Sequence, residues 1–112
     1  MKNPLIMLVA LIALSGCEDQ GEKFIGTWVE SEKISNTQTM TETIVVTKAS
    51  NGYRVTSNTK PDIWGELEVH LVAESGTLLI EEGTKNKKLE LSSDNELISY
   101  LRNKPKSLAR AN

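Results

Sequence analysis

The sequence predicts an all-β domain: a small antiparallel meander of about seven strands, barrel-like or sandwich, over residues 24–101. Three observations predict it. Period-two alternation of apolar and polar residues recurs in most segments, the spacing that puts one strand face in the core and the other in water. Stretches rich in β-branched residues are separated by turn signals at the intervals of a meander. No segment holds the 3.6-residue apolar spacing of an amphipathic helix over three turns. The barrel-like form is preferred because closure removes the sticky edges of a small sheet.

The elements follow in order. Phe24 to Glu30 forms the first strand, and Ser31 to Gln38 is a polar loop. Thr39 to Lys48 is the second strand, its threonines suited to a half-buried pleated surface. Asn51-Gly52 marks a two-residue hairpin turn, because both residues tolerate positive φ, and Tyr53 to Asn58 pairs back on the second strand. Pro61-Asp62 breaks the chain. From Ile63 to Glu74 the alternation is clearest, with Leu67, Val69, Leu71 and Ala73 on the core face and Glu66, Glu68, His70 and Glu74 on the wet one. Ser75-Gly76, a turn around Gly83 to Asn86, and Ser93-Asp94-Asn95 then separate strands at Thr77 to Glu81, Lys88 to Ser92 and Glu96 to Leu101. Residues 102–112 hold Arg102, Lys104, Lys106 and Arg110 with no acidic residue, and read as a basic flexible tail.

Composition excludes several classes of function. A formal net charge of −2 over 112 residues gives no positive field to gather nucleic acid. His70 is the only histidine and lies on the wet face, so neither a zinc site nor an acid–base pair is assembled around it. Glu66 and Glu68 lie two apart on one strand face, whereas paired catalytic carboxylates act across a cleft. No glycine-rich phosphate loop and no partnered serine nucleophile is present. The expectation is a protein that is not an enzyme and carries no cofactor or metal.

The start of the chain carries an address. Lys2 precedes an unbroken apolar run over residues 5–14, the pattern of a signal peptide. A helix of that length is roughly 15 Å long, half the ~30 Å hydrocarbon core, so it does not span. The run ends in Leu14-Ser15-Gly16-Cys17, which resembles the lipobox of bacterial lipoproteins, and Cys17 is the only cysteine. The resemblance implies cleavage between Gly16 and Cys17 and acylation of the Cys17 sulfur. Residues 1–16 are then the signal peptide, and 17–23 the acylated cysteine and a polar tether. Each buried CH₂ contributes about 0.8 kcal/mol, so two or three acyl chains hold the protein on the membrane permanently. Glu18 rather than Asp follows the cysteine, which by the sorting rule of enteric lipoproteins implies the periplasmic face of the outer membrane over the inner membrane.

Gly26-Thr27-Trp28 resembles the Gly-x-Trp signature near the start of lipocalins and of small lipocalin-like lipoproteins. The resemblance implies an up-and-down barrel plugged at one end by the tryptophan, with an arginine from a later motif packed on it. No later segment is matched to that motif, and the chain is about half the length of a full lipocalin.

Recognition is left to two features. Trp64, just after the Pro61-Asp62 turn, either anchors a partner as exposed aromatics do or closes the barrel core. Arg102, Lys104, Lys106 and Arg110 can meet anionic lipid or an acidic partner. Two functions stay open: a non-enzymatic envelope binding module for a protein or glycan, of inhibitor, immunity, exclusion or assembly-accessory type, and a small carrier of an apolar ligand. An apolar cavity of roughly 300 Å³ or more favours the carrier, and a filled interior the module. The lipobox generates the first prediction. Cys17→Ser leaves a larger unprocessed precursor and abolishes incorporation of radiolabelled palmitate, checked by gel mobility and autoradiography; label on the serine variant refutes the assignment.

Overall fold

A computed structural model describes residues 20–102 and 104–111, so Gly16 and Cys17 lie outside the described residues. Eight antiparallel strands follow one another around a closed barrel: β1 (Gly26–Lys33), β2 (Thr39–Ala49), β3 (Gly52–Lys60), β4 (Leu67–Ser75), β5 (Leu78–Ile80), β6 (Lys87–Leu91), β7 (Leu97–Ser99) and β8 (Lys106–Arg110). Each strand pairs with the next, and β8 returns to β1, setting Trp28 opposite Arg110 and Val29 opposite Ala109. Eight strands enclose a space just wide enough for side chains to fill.

The eighth strand corrects the sequence reading, which counted seven and placed Lys106 to Arg110 in a flexible tail. Its physical reason is the alternation Lys106, Leu108, Arg110. Leu108 is buried in the core cluster, Lys106 is neutralised by glutamates of β1 and β2, and Arg110 lies against Trp28. A basic segment thus enters the barrel because acids and an aromatic ring await it there. Two boundaries also move. Residues 61–66 are a loop, with β4 starting at Leu67, and β1 extends to Lys33. The β2–β3 turn sits one residue earlier than expected: Ala49 pairs with Gly52, so Ser50 and Asn51 make the turn, with Asn51 at φ 69°. Gly52 opens β3 at φ 149°, where a Cβ would stand 2.3 Å from the Leu71 carbonyl oxygen.

One end of the barrel is closed by its own chain. Glu22–Phe24 forms a short 3₁₀ turn with Phe24 fully buried, so residues 20–23 belong to the fold rather than to a tether. Tyr53 Oη donates to the Gln20 carbonyl at 2.7 Å. Gly21 has φ 90°, and a Cβ there would lie 2.8 Å from the Tyr53 ring. Trp28 Nε1 donates to the Phe24 carbonyl at 2.9 Å. Over the Trp28 ring stands the Arg110 guanidinium, 4.2 Å from the centroid, donating to the carbonyls of Ile25 (3.0 Å) and Lys23 (2.7 Å). A tryptophan plug covered by a late arginine is therefore present, and such a cation–π contact adds about 0.5–2 kcal/mol.

From this closed end the interior is graded. Toward it face Trp28, Val46, Tyr53, Val55, Leu71 and Leu97, all buried. Along β2 the inward series Val46, Ile44 passes to Glu42; along β3, Tyr53 and Val55 pass to Ser57 and Thr59; along β7, Leu97 passes to Ser99, and these polar residues are buried too. The barrel is oil at one end and ionic at the other.

On β4 the expected faces are present: Leu71 is buried, Val69 half-buried, and Glu68 and His70 exposed. Burying an unpaired charge costs several kcal/mol, comparable to the whole stability of a small domain. Leu71→Asp therefore unfolds the protein at room temperature, while His70→Asp changes stability by less than about 1 kcal/mol, as read by urea titration. Equal losses at these adjacent positions would contradict the observed strand faces.

Candidate functional site

At the open end the inward positions of three strands carry charge. Glu30 and Glu32 continue the phase of Trp28 on β1, and Glu42 that of Ile44 on β2. Glu30 stands directly opposite Glu42 in the ladder. Like charges so placed repel, and two cations from the β7–β8 segment answer them. Glu42 is only 1% exposed and accepts a hydrogen bond from Ser57 Oγ at 2.6 Å. Arg102 Nε lies 3.5 Å from the same carboxylate, and Nη2 donates to Ser57 Oγ (3.1 Å), the Ser57 carbonyl (3.4 Å) and the Gly65 carbonyl (3.1 Å). Lys106 Nζ is 3.0 Å from Glu32, 3.4 Å from Glu30 and 3.5 Å from Glu42.

This ion cluster is held by charge more than by hydrogen-bond geometry. Lys106 Nζ and Glu30 Oε1 are both buried and neither makes a hydrogen bond within the described residues. Burial pulls the Lys106 ammonium down, but the contact with Glu32 and the charges of Glu30, Glu42 and Glu32 outweigh it, holding its pKa above the ordinary 10.5.

Over the cluster lies the β3–β4 loop. Asp62 Oδ1 accepts from the Gly65 amide at 2.9 Å, and the Ile63 amide donates to the Pro61 carbonyl at 2.8 Å, which fixes the turn. The loop carries Trp64 to the β7–β8 segment, where its ring centroid lies 4.9 Å from Lys106 Nζ and 5.5 Å from Arg102 Cζ. Even with both cations against it, Trp64 is 48% exposed. Ile63 next to it is 49% exposed and Ile34, on the β1–β2 loop, 41%, and among the described residues these three are the large hydrophobic side chains left in water. All three sit on loops of the open end. Between the loops opens a cup of about 470 Å³, with Trp64, Leu67 and Leu101 as its apolar lining and Glu32, Arg102, Lys104 and Lys106 as its charged one.

Four of the five residues singled out from sequence, Trp64, Arg102, Lys104 and Lys106, are thus brought together in one cup. The fifth, Arg110, is at the opposite end, engaged in closing the barrel over Trp28. Trp64 does not close the barrel core, since its ring lies over Lys106 and Arg102 at the mouth and is half exposed. Sequence reasoning missed Glu30, Glu32, Glu42 and Ser57. Their signal was phase: each stands an even number of residues from a buried apolar side chain on its own strand. Among the described residues no set of three His, Cys, Asp or Glu side chains is arranged to hold a metal ion; where Glu30, Glu32 and Glu42 converge, the cation is Lys106. His70 lies on the outer wall beside Arg54 and Glu68. Comparison with protein-family models, with curated proteins and with solved structures finds no match to this chain.

The cluster generates a pair of expectations. Removing one partner of a buried ion group costs about 3–5 kcal/mol, so Glu42→Ala is strongly destabilising, and Glu42→Gln less so because the amide still accepts from Ser57. A lysine whose folded pKa is raised contributes stability that is fully present below about pH 10.5 and lost as pH rises through the raised value. The urea midpoint therefore falls more steeply above about pH 10.5 in the native protein than in Lys106→Met. Parallel curves would mean that Lys106 titrates as a free surface lysine.

Proposed function

We propose that this chain is a membrane-anchored bacterial lipoprotein acting as a non-enzymatic envelope binding module, which meets its partner with the open end of the barrel. The observation that carries the reading is that every exposed large hydrophobic side chain among the described residues lies on loops of that one end, which also holds the charged cup lined by Trp64. Exposed aromatic and aliphatic side chains flanked by arginine and lysine are the usual material of recognition patches.

The position of Gln20, the first described residue, supports it. Gln20 is tied to Tyr53 at the closed end. An acyl anchor on Cys17 would be three residues away, at most about 11 Å of extended chain. The eight residues of β1 rise roughly 26 Å, so the anchor belongs to the closed end and the cup to the end away from it. The carrier reading is less well supported. The cup exceeds the 300 Å³ mark in volume and most of its surface is apolar, but it is open to solvent, four of the seven residues lining it are charged, and below it the barrel is filled by Trp28, Ile44, Val55, Leu97 and Leu108.

The test is site-specific photocrosslinking in intact cells. A photoreactive residue at Ile63, on the rim, yields a discrete adduct with a macromolecule, whereas the same residue at His70, on the outer wall, yields none. Adducts at both positions or at neither would refute recognition by the open end.

A further inference from the structure

Resting on that reading, we infer that the cup is a subsite for an acidic sugar, a saccharide ring bearing a carboxylate. Its shape points to a compact ring. The barrel is closed and leaves no strand edge for an extended peptide to join. Below the cup the interior is occupied, so a long acyl chain has no tunnel to enter. What remains is a hollow of about 470 Å³, open to solvent and bounded on one side by the indole of Trp64. An aromatic plane of this kind packs against the apolar C–H face of a sugar while its polar edge stays wet.

The polar groups around the indole are of both kinds a sugar requires. Arg102 is fixed to the barrel wall through Nε and Nη2, which leaves Nη1 with no hydrogen bond within the described residues. A guanidinium immobilised in this way is a preorganised donor for a carboxylate oxygen. Lys104 is exposed beside it, supplying a second cation. Glu32, with 45% of its side chain exposed, offers an acceptor for ring hydroxyls. Charge selects the ligand further. Of the four charged residues that line the cup, Arg102, Lys104 and Lys106 are cations and Glu32 is an acid, while Glu30 and Glu42 beneath them bring the six charges to neutrality. Cations turned to the rim suit a singly charged carboxylate, and the neutral sum leaves no surplus charge to match a dianionic phosphate.

The test titrates the full-length chain with tri-galacturonate, N-acetylmuramic acid, maltotriose and decanoate, following tryptophan fluorescence. Trp28 is fully buried and Trp64 is not, so the signal reports on the cup. The expected result is saturation by at least one acidic sugar below about 10 mM, at least tenfold tighter than by neutral maltotriose. Lys104→Gln, at an exposed position, weakens the acidic sugar about tenfold. Trp64→Phe retains binding measured by calorimetry, whereas Trp64→Ala abolishes it. Equal response to acidic and neutral sugars, saturation by decanoate alone, or no saturation by either acidic sugar overturns the assignment. Adduct formation from Ile63 in cells alongside failure of both sugars would leave recognition by the open end standing and remove only the ligand class.

Discussion

Three carboxylates pointing into a barrel must find positive charge there, and this requirement organises the upper half of the molecule. Glu30, Glu32 and Glu42 come from the first two strands, and the cations that meet them, Arg102 and Lys106, come from the opposite end of the chain. The ionic need therefore draws the β7–β8 segment across the mouth and sets Lys106 at the head of β8, from which Leu108 falls into the core and Arg110 reaches the ring of Trp28. Barrel closure, the burial of Leu108 and the cover over Trp28 follow from the same placement. Trp64 is held by it as well, since its ring rests on those two cations and its loop is tied down through the Gly65 carbonyl.

Such a cluster is a poor source of stability. Desolvation of buried ions offsets most of their attraction, and apolar side chains of the same volume would often hold the barrel as well or better. What charge adds is specificity of arrangement. Glu30 and Glu42 face each other and cannot be packed at random; Lys106 sits where it reaches all three carboxylates, and Arg102 where it reaches Glu42. The apolar half of the barrel provides the cohesion, through Trp28, Phe24, Tyr53 and the aliphatic residues around them. The division matches the proposed use of the molecule: a rigid filled base beneath a polar rim whose side chains are positioned by their neighbours.

Much of the fold was legible because strands that bury one face must alternate. The run from Leu67 to Ala73 shows this directly, and an antiparallel meander follows from the turn signals between runs. β8 was not legible for the same reason in reverse. Lys106, Ser107, Leu108, Ala109 and Arg110 contain one large apolar residue, and a lone leucine between basic residues reads as solvated chain unless the acids opposite are known to point inward. Those acids were readable in principle: Glu42 stands two residues from Ile44, and Glu30 two from Trp28. Composition argued against burying them, and the compensation that permits it lies about sixty residues away, beyond any local window. At the Ser50-Asn51 turn the error was small and local. Asn51 takes the positive φ expected of it, while Gly52 answers to a contact with β4 that only the tertiary fold creates. Trp64, Arg102, Lys104 and Lys106 could be singled out one by one, but that they share a cup is a property of the closed barrel alone.

The pairing of the first strand with the last also sets a schedule. Until Lys106 to Arg110 have been synthesised, β1 lacks its second neighbour, Trp28 lacks its cover, and the three inward glutamates lack one of their cations. Contacts that span nearly the whole chain form late and slowly compared with hairpins. A nascent chain is thus kept from closing until its eighth strand has been made, so commitment to the native barrel waits on that strand. On the proposal that the chain is exported, that delay favours a chain still extended when it meets a translocation pore.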